Sequence, residues 1–376
     1  MTASGAAVLP IALAAAAAAA VLVFLLTPLA ARVAAALGAI DRPGDARRVH
    51  ARPVPRAGGL AIGVALVVIG VGAAAIAGQS GVLPAAYRLP VGGVAALVAG
   101  VPIAAALGFL DDLRDLRARW QFAAQLVLAA IVVASGITIS FINNPFGSGT
   151  IVFAAPFAAV VTALWVVGMV NSINFIDGLD GLSTGVSMIA AVTLGGISLT
   201  EAQSQPMVAI LCFVLAGSLA GFLPWNFHPA RVFVGTTGVF VIGYALAVLS
   251  ILGTAKVAVA LLVLGVPIID TFWIIVRRLA HGTSPFTSDR GHFHHRLLDL
   301  GLSHRGAVLV IYGICALLAV LCFTLSGSGQ LYAFLGALVG GGLLLYLMTM
   351  RSGEALEART YEESAAGGEG PSAGPR

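Results

Sequence analysis

The sequence predicts an all-α integral membrane protein that crosses the bilayer many times. Three observations carry this. The 376-residue chain is 59% hydrophobic, with a mean hydropathy of +1.01. Only 10% of its residues are charged, against about 25% in a soluble domain. Its apolar residues fall into runs near the ~20 residues that a helical crossing needs. Backbone facing lipid must satisfy its own hydrogen bonds, and the period-two alternation of a barrel is absent, so these runs predict helices.

In order, the runs lie near 6–29, 58–78, 90–110, 120–139, 153–173, 182–200, 207–225, 237–253, 255–276, 306–325 and 331–350. They predict about eleven spans, or ten where those around 225–256 nearly touch. The first run is longer than a signal-peptide core and no Lys or Arg precedes it, so it reads as a retained span. The spans form a single transmembrane domain, 1–350. The tail 351–376 is rich in Gly, Glu, Ser and Ala and predicts disorder.

Orientation follows from the basic residues. With eleven spans, Arg32, Arg42, Arg47, Arg48, Arg52, Arg56, Arg114, Arg117, Arg119, Arg231, Arg277, Arg278, Arg290, Arg296, Arg305, Arg351, Arg359 and Arg376 share one side. Arg88 and Lys256 occupy the other. The positive-inside rule makes the first side cytoplasmic, the N-terminus external and the C-terminus cytoplasmic. A net charge of +4, scattered along the chain, gives no reason to expect nucleic acid as a partner. Cys212, Cys315 and Cys322 lie in apolar runs and read as packing residues.

Four polar clusters fall on the predicted cytoplasmic side. The stretch 41–59, DRPGDARRVHARPVPRAGG, supplies Arg48, His50 and Arg56 as phosphate contacts. GFLDDLRDLRARWQF places Asp111, Asp112 and Asp115 together, with Asp111 and Asp115 on one helical face. Adjacent carboxylates repel, which raises a pKa or invites a divalent cation. The stretch 171–185, NSINFIDGLDGLSTG, sets Asn171, Asn174, Asp177 and Asp180 at three-residue steps at the end of a span, a costly arrangement without a function.

The fourth cluster, SPFTSDRGHFHHRLLDLG, holds Arg290, His292, His294 and His295. It lacks a second set of zinc ligands and suits a phosphate or nucleotide better. Asp270, inside a span, is a site candidate by default. Acids for magnesium, cations for phosphate and a membrane-surface site together point to phosphoryl-type transfer, which rests on positioning and charge stabilisation. One substrate is expected to be polar and the other lipidic.

These motifs resemble, in order and from about residue 31 to 303, the polyprenyl-phosphate N-acetylhexosamine-1-phosphate transferases. FLDDLRDL, NSINFIDGLDGL and DRGHFHHRLLDLG are similar to that family's DDxxD, NxxNxxDGxDGL and HxH segments. The stretch DRPGDARRVHARPVPRAGG is likewise similar to the family's first cytoplasmic loop, and it and the histidine segment are closer in form to the N-acetylglucosamine branch than to the lipid I branch. The resemblance implies transfer of a sugar-1-phosphate from a UDP-sugar to undecaprenyl or decaprenyl phosphate, with release of UMP, to start a cell-envelope glycan. It places the protein in a bacterial plasma membrane, with an active site on cytoplasmic loops 38–57, 111–119, 171–185, 226–237 and 277–305, and leaves room for a homodimer.

By the same resemblance, Asp111 and Asp112 handle the lipid phosphate. Asn174 and Asp177 hold magnesium, or manganese in its place. Asp177 and Asp180 serve the nucleotide-metal site, and the histidines lie near the diphosphate and sugar. One departure stands out. The family's phenylalanine-methionine-glycine-aspartate-x-glycine-serine segment reads FVGTTGVF here, so Thr236 replaces a magnesium-ligand aspartate. That leaves as alternatives an impaired enzyme, or a non-enzymatic polyprenyl-phosphate binder or transporter. A transporter predicts polar pairs at mid-bilayer depth in both halves; here the ionisable groups gather near one face. A soluble prenyl-chain synthase, which shares DDxxD, is excluded by hydropathy.

Overall fold

The computed structural model describes residues 3–41, 53–80, 83, 89–144, 147, 149–200, 205–253, 257–280, 292–325 and 328–346. The described chain is helical apart from two small antiparallel ladders. In order it forms α1 (Ala3–Leu37), β1 (Ile40–Asp41), β2 (Val54–Pro55), α2 (Gly58–Gln79), α3 (Val91–Arg114) and α4 (Ala118–Ala134). There follow β3 (Phe141–Asn143), β4 (Thr150–Val152), α5 (Ala155–Ile176), α6 (Leu182–Thr200), α7 (Pro206–Asn226) and α8 (Gly235–Leu252). The described part closes with α9 (Val257–Val263), α10 (Gly265–Ala280), α11 (Phe293–Asp299), α12 (His304–Thr324) and α13 (Ser328–Tyr346). β1 pairs with β2 and β3 with β4.

Helix stands at each of the eleven apolar runs, but the runs are not equivalent. Among the described residues nine helices are long and apolar enough to cross a membrane. The run near 255–276 is two helices, α9 and α10, bent by 78° at Leu264. Pro267 lacks the N–H that would have bonded to Val263, and its ring crowds that carbonyl; with Gly265 beside it, this weakens the ladder at the bend. α4 has 17 residues, about 26 Å of helix against a ~30 Å hydrocarbon core. The chain is thus a multi-pass helical membrane protein, whose described residues hold nine or ten candidate crossings and one shorter apolar helix.

α6, α7 and α8 are buried for most of their length and form the centre. α1 lies along α7. A Cβ added at Gly217 or Gly221 would come within 2.1 Å of the Ala16 or Ala20 carbonyl oxygen, so this four-residue glycine step brings two backbones into contact, as lipid-embedded helices require for van der Waals packing. The α1 face against it repeats small residues at three- and four-residue spacing: Ala12, Ala15 and Ala19. The predicted tail 351–376 lies outside the described residues.

Side-chain contacts gather the ends of α3, α5 and α7 and the starts of α8, α11 and α12 at one end of the bundle. The sequence clusters meet there.

Candidate active site

The acidic pair of α3 anchors this end. Asp111 and Asp112 are 5% and 4% exposed. Asp112 Oδ1 accepts the Thr236 backbone N–H at 2.8 Å, and its Oδ2 accepts the Thr237 N–H at 2.9 Å and the Thr237 hydroxyl at 2.5 Å. Asp112 therefore caps α8 from another helix, satisfying N–H groups that a helix start leaves without partners. Gly235 makes the approach possible. Its φ of +69° is left-handed, and a Cβ there would stand 2.6 Å from Asp112 Oδ2.

Asp111 Oδ2 accepts the Thr236 hydroxyl at 2.6 Å, while Oδ1 accepts Leu116 N–H and Gln121 Nε2, each at 3.0 Å. The third acid behaves differently from its sequence reading. α3 ends at Arg114, and Asp115 turns into left-handed backbone with φ 44°. It therefore leaves the face of Asp111 and points outward, its side chain 81% exposed.

Arg56 joins Asp115 to the first loop. Its guanidinium donates to Asp115 at 2.8 Å and to Asp41 at 2.6 Å. Burial alone would lower its pKa, but the two carboxylates outweigh that and hold the charge more firmly. The backbone of this segment also docks: Arg56 bridges Phe233, and Ala57 and Gly58 donate to the Phe233 carbonyl. Loop one is thus sewn to the segment that carries Thr236. Arg48, His50 and Arg290 lie outside the described residues.

The three-residue ladder 171–180 is divided by the end of α5. Asn171 is still helical and is taken up by a reciprocal amide pair with Gln125 of α4, at 2.7 and 3.2 Å. The Asn174 side chain makes no hydrogen bond to any described residue. Asp177 caps α5 and accepts the Ser183 hydroxyl at 2.5 Å. Burial pushes the Asp177 carboxyl up to about 7; the Ser183 bond opposes this, and nearby Asp112 and Asp180 add to it. The two acidic motifs, far apart in sequence, therefore lie close enough for Asp112 and Asp180 to act on Asp177.

Asp180 brings in two histidines that the sequence clusters do not contain. His228 Nδ1 donates to Asp180 Oδ2 at 2.8 Å, and Ala230 N–H donates to the same oxygen at 3.0 Å. The Asp180 N–H donates to His304 Nε2 at 2.9 Å, and the rings of His228 and His304 stack at 4.1 Å and 17°. These three residues bring ligand atoms within 4.8 Å of one another. The ring nitrogens facing Asp180 are, however, already hydrogen-bonded. The group is a clamp on the DGLDG turn. Arg305 completes it with two bonds to the His228 carbonyl, at 3.0 and 2.9 Å.

α11 lays the remaining histidines over the same turn. A Cβ at Gly178 would meet His294 Nε2 at 2.2 Å, so only glycine allows this ring to rest on the backbone. His294 is 2% exposed, and Nε2 is buried without a partner. Burial, followed by His295, His292 and His304, holds its pKa well below the usual imidazole range. His292 lies 5.5 Å from His294 ring to ring, and His295 lies 4.3 Å from it. Arg296 turns the other way and donates to the Leu345 carbonyl at the end of α13.

The residues present suit a hard divalent cation. Magnesium takes oxygen donors, typically one or two carboxylates with phosphates and water. Asn174 has an uncommitted amide, and Asp177 is a buried carboxylate pressed by like charges, which a cation would relieve.

Residues 94–254 match glycosyl transferase family 4. A Bacillus subtilis (strain 168) protein named "Probable undecaprenyl-phosphate N-acetylglucosaminyl 1-phosphate transferase" is 37% identical over 312 residues, 81% of this chain and 82% of its own. The Mycobacterium tuberculosis (strain ATCC 25618 / H37Rv) decaprenyl-phosphate N-acetylglucosaminephosphotransferase is 34% identical over 86% of this chain and 85% of its own. A Thermotoga maritima undecaprenyl-phosphate alpha-N-acetylglucosaminyl 1-phosphate transferase is 30% identical over 78% and 91%. With relatives 34–37% identical over more than four-fifths of its length, the chain belongs to glycosyl transferase family 4, among the polyprenyl-phosphate N-acetylglucosamine-1-phosphate transferases.

Proposed function

We propose that the protein transfers a sugar-1-phosphate, GlcNAc-1-phosphate in the first instance, from a UDP-sugar to undecaprenyl or decaprenyl phosphate. An oxygen of the lipid phosphate bonds to the phosphorus that bears the sugar, the bond from that phosphorus to the bridging oxygen breaks, and UMP leaves. The observation that carries this reading is the meeting of both acidic motifs at one end of the bundle, where Asp111 and Asp112 bond to the start of α8 and Asp112 and Asp180 act on Asp177. The names of the relatives support the substrates.

In this reading Asp111 orients the lipid phosphate and takes its proton when it arrives protonated. Asp112 holds the start of α8 against Asp111. Asn174 and Asp177 would hold magnesium, which supplies positive charge for the diphosphate and the departing UMP. His294, with an orphaned Nε2 on the Gly178 turn, and His292 meet the sugar phosphate. In this reading the site end of the bundle faces the cytoplasm of a bacterial cell; the eleven-span topology read from the sequence, which assigns 18 of the 20 basic residues to one side, supports it.

The Thr236 bond to Asp111 favours a second reading, in which the protein binds polyprenyl phosphate with little turnover. The test is UMP release from a panel of UDP-sugars with polyprenyl phosphate and purified protein, with and without magnesium. Magnesium-dependent release supports transfer. No release from folded protein that still binds the lipid supports the second reading.

A further inference from the structure

Asp270 lies within α10, the second half of the bent pair, and is 4% exposed. An acid at such a place is costly unless its oxygens are engaged, and both are. Oδ2 lies 2.8 Å from His292 Nδ1, and Oδ1 accepts the Phe293 N–H at 2.8 Å. Beyond the 78° bend, α10 packs against α5, whose last turn carries Asn174 and Phe175. The Phe175 ring is 5.7 Å from that of His292. From there His292 stacks with His294, and His294 rests on Gly178. A buried carboxylate is thus joined through two stacked imidazoles to the turn at the centre of the site.

We propose that Asp270 is a positioning residue that acts through His292. An ionised carboxylate only accepts, so the proton on this ring must sit on Nδ1, and Nε2 is left as the nitrogen available to substrate. In the neutral ring, Nε2 accepts from a hydroxylated ligand, of which the sugar of a sugar nucleotide is the matching class. The carboxylate thereby sets both the ring's plane and its tautomer. The proposal rests on the transferase reading above. A purely structural role, capping α11 through Phe293, predicts a different response to substitution.

Asp270→Asn separates the two. Its amide oxygen still accepts the Phe293 N–H, and Asn caps as well as Asp. Its NH2 then faces Nδ1, which must become an acceptor, and the ring proton moves to Nε2. The expected result is a fall in kcat of tenfold or more, with the melting temperature near that of wild type. ¹⁵N spectra of the His292 ring should show the exchanged tautomer. In a His292→Gln background the added Asp270→Asn change should cost no further activity, since residues acting through one another are not additive. Asp270→Asn retaining more than half of wild-type kcat would overturn the proposal, as would an activity loss that only tracks loss of folded protein, or full additivity with His292→Gln. If wild-type protein releases no UMP, the transferase reading fails; the ¹⁵N tautomer comparison still decides whether Asp270 sets the ring.

Discussion

The Thr236 hydroxyl donates to Asp111 Oδ2 at 2.6 Å. A side chain at this position thus faces the acidic pair directly, and a neutral donor there satisfies Asp111 without any cation. Thr236→Asp would put two carboxylates in contact, which repel unless a cation or a proton lies between them. We expect the variant to melt lower than wild type without magnesium, to recover with it, and to release UMP several-fold faster in its presence. Melting curves and UMP release with and without magnesium check this; activity unchanged or lower in magnesium would sink it.

Asp112 is the cap of α8. Asp112→Ala orphans two backbone N–H groups and the Thr237 hydroxyl, and should destabilise by about 1–3 kcal/mol, as for a buried unsatisfied group. Asp112→Asn offers a single acceptor oxygen and should fall between wild type and alanine. Denaturation in detergent ranks the three; an alanine variant as stable as wild type would deny the capping role.

Asp177 gives a pH dependence with a definite sign. Its folded pKa, about 7, is raised above the ordinary 3.8. Its contribution to stability in the metal-free protein is therefore complete below about 3.8 and is lost as pH rises through about 7. Magnesium needs the carboxylate form, so its binding releases a proton, and its apparent affinity should climb towards pH ~7 and then level off. The rise in melting temperature on adding magnesium should be larger at about pH 8 than at about pH 6, and Asp177→Asn should abolish that difference.

His228 ties the loop 226–231 to Asp180. His228→Ala leaves a carboxylate oxygen with one donor in place of two, a loss of about 1–3 kcal/mol in holding the turn. The expected readout is a tenfold or larger drop in kcat/KM. His228→Asn, whose NH2 can take the place of Nδ1–H, should restore part of it. If alanine and asparagine behave alike, the clamp is not what matters at this position.

Gly217→Leu should separate α1 from α7, because the new side chain must occupy space held by the Ala16 carbonyl. We expect poor recovery of folded protein, whereas Gly168→Leu, where a Cβ meets nothing within 4 Å, should be tolerated. Comparable yields of the two would contradict the backbone contact.

The helices were legible because lipid leaves the backbone no alternative, so every long apolar run carries its own secondary structure. The bend at Leu264 was less so. The hydropathy of 255–276 is continuous, and only Gly265 and Pro267 mark the break. The acids and histidines of the site were legible as types at motif spacing, but their use was not. Whether Asn171 points to Gln125, or Asp115 swings out at a left-handed residue, depends on where a helix ends, which spacing rules leave open. His228 and His304 escaped because each is a single histidine, 76 residues from the other, with no local pattern around it. The FHPARVFVG run was read only for Thr236, and the LSHR start of α12 looks like an ordinary helix entrance.

The cap on α8 also imposes an order on assembly. Asp112 and its acceptor bonds to Thr236 and Thr237 span 124 and 125 residues of chain. A chain made from its N-terminus completes α3 long before α8 exists. Through the insertion of α4 to α7, Asp112 has no cap to make, and its charge favours water over the packed interior. The end of α3 can be seated only once α8 arrives, so the acidic cleft closes late in biogenesis.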